Sequence, residues 1–247
     1  MIHKLEVNSR DVSLFKYLQA QKVATTVQIK RDVIKAGISV TRRRLQRLKN
    51  LGFLEVVARL EGRKATHVYS LSDKAMAFLN RLYPKRYVQR SFRSNAIMHD
   101  LGLNDLRFIF ESKSSVVKFY SENEIHTLRE LNQRRDLDPF RAIYVDGVIE
   151  LKSLSGKTML CAVELEVNLK ARTRYRDKVR RYYLAQDIAA VLFISNNPNA
   201  ECAVKYFEEK EVVQDFKKIY FADLEEILSQ ESKAIFENQD GVKVAIV

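Results

Sequence analysis

The chain opens with apolar positions at helical spacing. Val12, Leu14, Phe15 and Leu18 follow Asp11, a residue suited to capping a helix. Thr25-Thr26 predicts the start of a second helix over Val27–Lys35, with Gly37 where it should stop. A third helix is predicted over Ser39–Asn50, with Val40, Leu45 and Leu48 facing a core. Two apolar runs then flank a polar turn, Leu51–Leu60, Glu61-Gly-Arg-Lys and Thr66–Leu71, as a strand, turn and strand. Ser72-Asp73 opens a further helix, Lys74–Leu82. The pattern breaks at Tyr83-Pro84, and residues 83–94 mix cations with aromatic residues as a basic linker.

Beyond the linker the periodicity resumes. Ile97, Leu101, Leu103, Leu106 and Phe108 predict a helix over Asn95–Phe110, and Val116–Tyr120 a short strand; residues 121–139 have no clear period. Tyr144–Leu151 and Met159–Asn168, joined at Ser155-Gly-Lys, read as an antiparallel hairpin. A helix over Arg172–Gln186 follows, with Tyr175, Val179, Tyr182 and Tyr183 inward. Ile188–Ser195 is a continuous apolar run bounded by Asn196-Asn-Pro, as in a buried strand. Ala200–Lys210, Ile219–Phe221 and Leu224–Leu228 extend the α/β layer.

The acids on the hairpin are the chemical anomaly. Asp146, Glu164 and Glu166 stand in runs where a buried strand ordinarily carries none. Side chains alternate along a strand, so Glu164 and Glu166 share a face and Leu165 takes the other. Clustered carboxylates repel unless a proton or cation sits among them. A hard divalent ion, Mg2+ or Mn2+, held by Asp146, Glu164 and Glu166, is the economical reading. The alternative is a structural network in which both glutamates pair with the basic helix Arg172–Arg181. His99, Glu124 and His126 are candidate outer members, with a satisfied structural histidine as the plainer reading.

The net charge of +12 favours a polyanionic partner, most simply nucleic acid. With 46% hydrophobic and 30% charged residues, and only three Pro and seven Gly, the chain is that of a folded protein rather than a disordered one. The N-terminus has no apolar signal region and no run reaches transmembrane length, so a cytoplasmic protein without membrane insertion is expected. Cys161 and Cys202 form no CxxC pair and are expected as core thiols.

Three helices and a hairpin make a winged helix-turn-helix over residues 1–82. The arrangement resembles winged-helix domains of bacterial regulators and replication proteins, in which the third helix enters the major groove. That resemblance implies DNA contacts from Arg42, Arg43, Arg44, Arg47 and Lys49 on the helix. The wing adds Arg59, Arg63, Lys64 and His67. Within a second domain over residues 95–247, roughly residues 95–195 read as helix, three strands, helix, strand, with an Asp on the second strand and Glu-x-acid on the third. This order resembles the PD-(D/E)XK nuclease core, although Val145 replaces the motif Pro and Glu166 stands where the motif writes Lys. The fold class expected is therefore α+β, a winged helix-turn-helix followed by a PD-(D/E)XK-like α/β domain.

A winged helix, this core and the element Lys178-Val-Arg-Arg-Tyr182 together resemble the plasmid replication-relaxation family. With the His99-Asp-Leu helix, they are also similar to the MobC class of conjugative relaxases. The resemblance implies a metal-dependent endonuclease that nicks double-stranded DNA at an origin of transfer, with accessory mobilisation or coupling proteins as further partners. Asp146, Glu164, Glu166 and Lys178 would then be the catalytic set. Lys178 would supply the missing motif lysine, with Lys170 as its competitor. The alternative function is a non-enzymatic replication initiator or transcriptional regulator with a degenerate nuclease fold.

Overall fold

The structure is a computed structural model and describes residues 7–61, 66–88, 92–153, 156–212, 216–229 and 234–247. The architecture is mixed α+β, and its contacts divide into two compact units. The first runs through Asn104 and includes His126–Asn132; the second is Asp105–Ile125 with Gln133–Val247. The division therefore falls inside a helix, Ile97–Glu111, rather than in the basic segment 83–94.

In the first unit, α1 (Ser9–Gln21) starts from a capping box. Asn8 Oδ1 accepts from Asp11 N and Asp11 Oδ2 accepts from Asn8 N, so Asp11 sits one turn inside the helix and Asn8 is the cap. β1 (Val23–Thr25) is a third strand of the sheet, too short for its period to show in sequence. Thr25 caps α2 (Thr26–Ile29), again with a reciprocal bond to Gln28. The helix continues as a π-turn, Lys30–Ile34, and stops at Lys35 in the left-handed region rather than at Gly37, which instead precedes α3 (Ile38–Asn50).

β2 (Leu54–Leu60) and β3 (Thr66–Leu71) complete an antiparallel sheet in the order β1-β3-β2, and α4 (Asp73–Leu82) starts from the Ser72 hydroxyl. Leu14, Phe15, Leu18, Leu45, Leu48 and Leu79 form the core. Val40 does not join them and is 46% exposed, whereas Thr41 is fully buried. The cause is helical geometry: positions 41, 45 and 48 share one face, and position 40 lies about 100° away.

α5 is the Ile97–Glu111 helix, which continues into the second unit. The elements that follow are β4 (Val116–Ser121), α6 (Glu122–Thr127), α7 (Arg129–Asn132), a 3-10 turn (Arg135–Leu137) and α8 (Asp138–Ile143). The segment without clear period is thus mostly short helices. β5 (Gly147–Lys152), β6 (Thr158–Glu166), α9 (Arg172–Leu184), β7 (Ala190–Ser195), α10 (Pro198–Glu211), β8 (Ile219–Asp223), α11 (Leu224–Ser229), β9 (Ala234–Glu237) and β10 (Lys243–Ile246) complete the chain. The seven strands lie in the order β10-β9-β8-β7-β6-β5-β4. β4, β5 and β6 are antiparallel, whereas β6, β7 and β8 run parallel, with α9 as the crossover from β6 to β7.

The interior strand β6, with neighbours on both edges, is buried from Cys161 through Glu166. At the start of β5 a Cβ on Gly147 would lie 2.6 Å from Phe119 Cζ, so only glycine lets β4 and β5 close beside Asp146. Cys161 is buried as expected, but Cys202 is exposed on α10. No helix of the described residues is long and apolar enough to cross a membrane.

Candidate active site

The hairpin and the crossover helix bring four predicted site residues together. Asp146 stands immediately before β5, and its Oδ2 accepts from Leu165 N at 2.9 Å, which locks it against the penultimate residue of β6. Glu164, on the face of β6 opposite Leu165, is fully buried. Its Oε2 accepts from Lys178 Nζ on α9, and its Oε1 has no hydrogen-bond partner. The Tyr182 hydroxyl, one turn further along α9, is also buried and faces Glu164 without the geometry of a made hydrogen bond.

Glu166 is 2% exposed. Lys170 Nζ lies 2.8 Å from its Oε2, an ion pair off the angle of a hydrogen bond. Thus the two lysines weighed for one role divide between the two glutamates. Of the basic helix, Lys178 alone among the described residues forms an ion pair with either of them. The Tyr175 hydroxyl accepts from Lys170 N at 2.9 Å, steadying the turn that delivers Lys170.

Burial pushes the Glu164 carboxyl up to about 7; Lys178 opposes the shift and Asp146 adds to it. Burial pulls Lys178 the other way, but Glu164 and Asp146 outweigh it and hold the ammonium above the ordinary lysine range. The two effects compete, since protonating Glu164 removes the charge that holds Lys178 up. Lys178 keeps its proton, and Glu164 is the group that titrates. Burial, then Glu164, raises the Tyr182 hydroxyl well above the ordinary tyrosine value, so it stays protonated.

Among the described residues, no three His, Cys, Asp or Glu side chains stand close enough to hold a metal ion together. The donors that do come together are Asp146 and Glu164. Two adjacent carboxylates, one with a buried oxygen lacking any partner, fit a single hard cation that retains much of its own hydration. Glu124 is engaged elsewhere, 2.8 Å from Arg107 Nη1 and 2.9 Å from Ser121 N. His99 lies beside Asp100, and His126 packs on Phe92, both within the first unit.

In the first unit α3 presents Arg42, Arg43, Arg47 and Lys49 as exposed cations. Arg44 is the exception. Its Nε donates to Asp11 Oδ1 at 2.7 Å and its Nη2 to Asp11 Oδ2, which ties α3 to α1 and takes it out of the solvent-facing set. Asp11 is 2% exposed and provides the signal that sequence reading missed, an acid buried on the inner side of α1. Arg59 is exposed and His67 half-buried, whereas Arg63 and Lys64 lie outside the described residues.

A family model described as replication-relaxation matches residues 15–191, well over half of the chain. Comparison with curated proteins and with solved structures returned no match.

Proposed function

The chain belongs to the replication-relaxation family, and from that premise we propose that it is a plasmid mobilisation relaxase of the MobC class, a metal-dependent endonuclease that nicks DNA at an origin. In this reading residues 7–82 act as a winged helix-turn-helix that finds the site, and the seven-stranded unit is a PD-(D/E)XK-like core that cuts it. Accessory mobilisation or coupling proteins would be further partners. The observation that carries the proposal is the pair Asp146 and Glu164 with Lys178 bonded to Glu164 and one buried carboxylate oxygen left unmatched.

Asp146 and Glu164 would hold Mg2+ or Mn2+. When bound, such an ion supplies a Lewis acid for the phosphate and acidifies water. The protein's own part is positioning. The Leu165 amide fixes Asp146, Lys178 fixes Glu164, and the Lys178 ammonium, 27% exposed, can also face charge that develops on a phosphate. Glu166 and Lys170 form the adjacent pair that closes the end of β6. Water is the nucleophile in this reading, because Tyr175, Tyr182 and Tyr183 are all buried and burial raises each hydroxyl above its ordinary value.

A second reading is supported by the same cluster. Each glutamate of β6 already has a lysine, and three donors do not converge among the described residues, as in a nuclease fold retained only to bind DNA as an initiator or regulator. The experiment that separates them is relaxation of the supercoiled plasmid carrying the cognate origin. The first reading requires Mg2+- or Mn2+-dependent conversion to open circle; binding without conversion at any metal concentration would leave the second.

A further inference from the structure

α9 carries Lys178 to the acid pair, and its remaining cations are not equivalent. Arg180 Nε donates to Glu211 Oε2 at 2.8 Å, Arg176 lies 3.6 Å from Asp177, and Arg172 stacks 5.2 Å over the Tyr206 ring. Arg174 and Arg181 are exposed, and among the described residues neither guanidinium has an ion pair or hydrogen bond. Their positions relative to Lys178 are i−4 and i+3, so on a helix the three cations form one stripe. Tyr175, Val179 and Tyr182 are buried on the adjoining face, so the stripe runs along the border of the packed side, with Lys178 at its middle.

From this geometry we infer that Arg174 and Arg181 form a second DNA-backbone grip, separate from α3, which lays a phosphodiester strand along α9 across Lys178. Exposed guanidiniums without partners carry no packing role, and arginine matches phosphate bidentately. A spacing of seven residues places the two about 10 Å apart along the helix axis, far enough to engage phosphates on either side of the one nearest Lys178. The grip is sequence-independent, since it reads charge and not base edges. It deepens the nicking reading by naming how substrate reaches the acid pair.

The test is binding of the full chain to a labelled duplex of random sequence, in EDTA, over a series of salt concentrations. Each phosphate neutralised contributes about 0.9 to the slope of log affinity against log salt. R174A/R181A should therefore flatten the slope by about 1.8, and R174K/R181K should restore it. R172A/R180A, which removes the same charge from partnered positions, should leave the slope within about 0.3 of the unsubstituted protein. An unchanged slope in R174A/R181A, or an equal loss in R172A/R180A, overturns the grip. Because this readout needs no cleavage, it stands apart from the nicking reading. Absence of metal-dependent relaxation together with the predicted slopes would sink the enzyme and leave the grip.

Discussion

Lys178, in the middle of the crossover helix, donates to Glu164, a carboxylate with no exposure on an interior strand of the sheet. Removing the lysine leaves a buried charge without its counterion. K178M should therefore lower stability by about 2–3 kcal/mol at pH 8, where Glu164 is ionised, and by much less at pH 5, where it is not. Urea unfolding at the two pH values measures this. An equal loss at both would mean that the cost is packing rather than charge.

The raised Glu164 pKa gives stability a direction with pH. A carboxyl whose folded pKa lies above its unfolded value binds its proton more tightly when folded. Its contribution is fully present below about pH 4.5 and is lost as pH rises through about 7. E164Q removes that titration. The stability of E164Q relative to the unsubstituted protein should thus rise by about 3 kcal/mol between pH 4.5 and pH 8 in EDTA. A difference that stays flat across the window would refute burial as the cause. A cation must displace the same proton, so stabilisation by Mn2+ should be larger at pH 8 than at pH 6.

Asp146→Ala or Glu164→Ala should abolish relaxation of the cognate plasmid while leaving affinity for its origin within about twofold. Each removes one of two converging donors, and the exposed cations of α3 are untouched. Nicking by Asp146→Ala at the unsubstituted rate would overturn the assignment.

Arginines of α3 should separate into two classes. R44A leaves the buried Asp11 without its counterion, with only Asn8 N still donating to it, and should cost about 2 kcal/mol in thermal or urea unfolding. R43A and R47A should change stability by less than about 0.5 kcal/mol, yet reduce discrimination between origin and random DNA by about 1–3 kcal/mol if each meets a base edge. Equal weakening on both DNAs would assign that arginine to the backbone.

The three buried tyrosines of α9 should not become attached to DNA. Nicked product is expected to enter a gel freely without protease, and Y175F, Y182F and Y183F should each retain nicking within about tenfold. A protease-sensitive adduct lost in one of these variants would replace water by that tyrosine.

Local pattern alone determined much of this chain. Period 3.6 placed α3, α5 and α9, and two apolar runs joined by a polar turn placed the hairpin beside which Asp146, Glu164 and Glu166 gather, because such patterns are a property of neighbouring residues. Tertiary structure decided what those neighbours cannot. Whether Val40 or Thr41 faces the core depends on the rotation of α3 about its axis, and Arg44 leaves the solvent-facing set only because Asp11 comes to it from 33 residues away. The pairing of Lys178 with Glu164 depends on the crossover helix that joins β6 to the parallel strand β7. β1 is three residues long and exists through its partner β3, and the unit boundary falls within α5 where contacts, not composition, divide the chain. Each of these turns on free energy exchanged between segments distant in sequence, which no local period encodes.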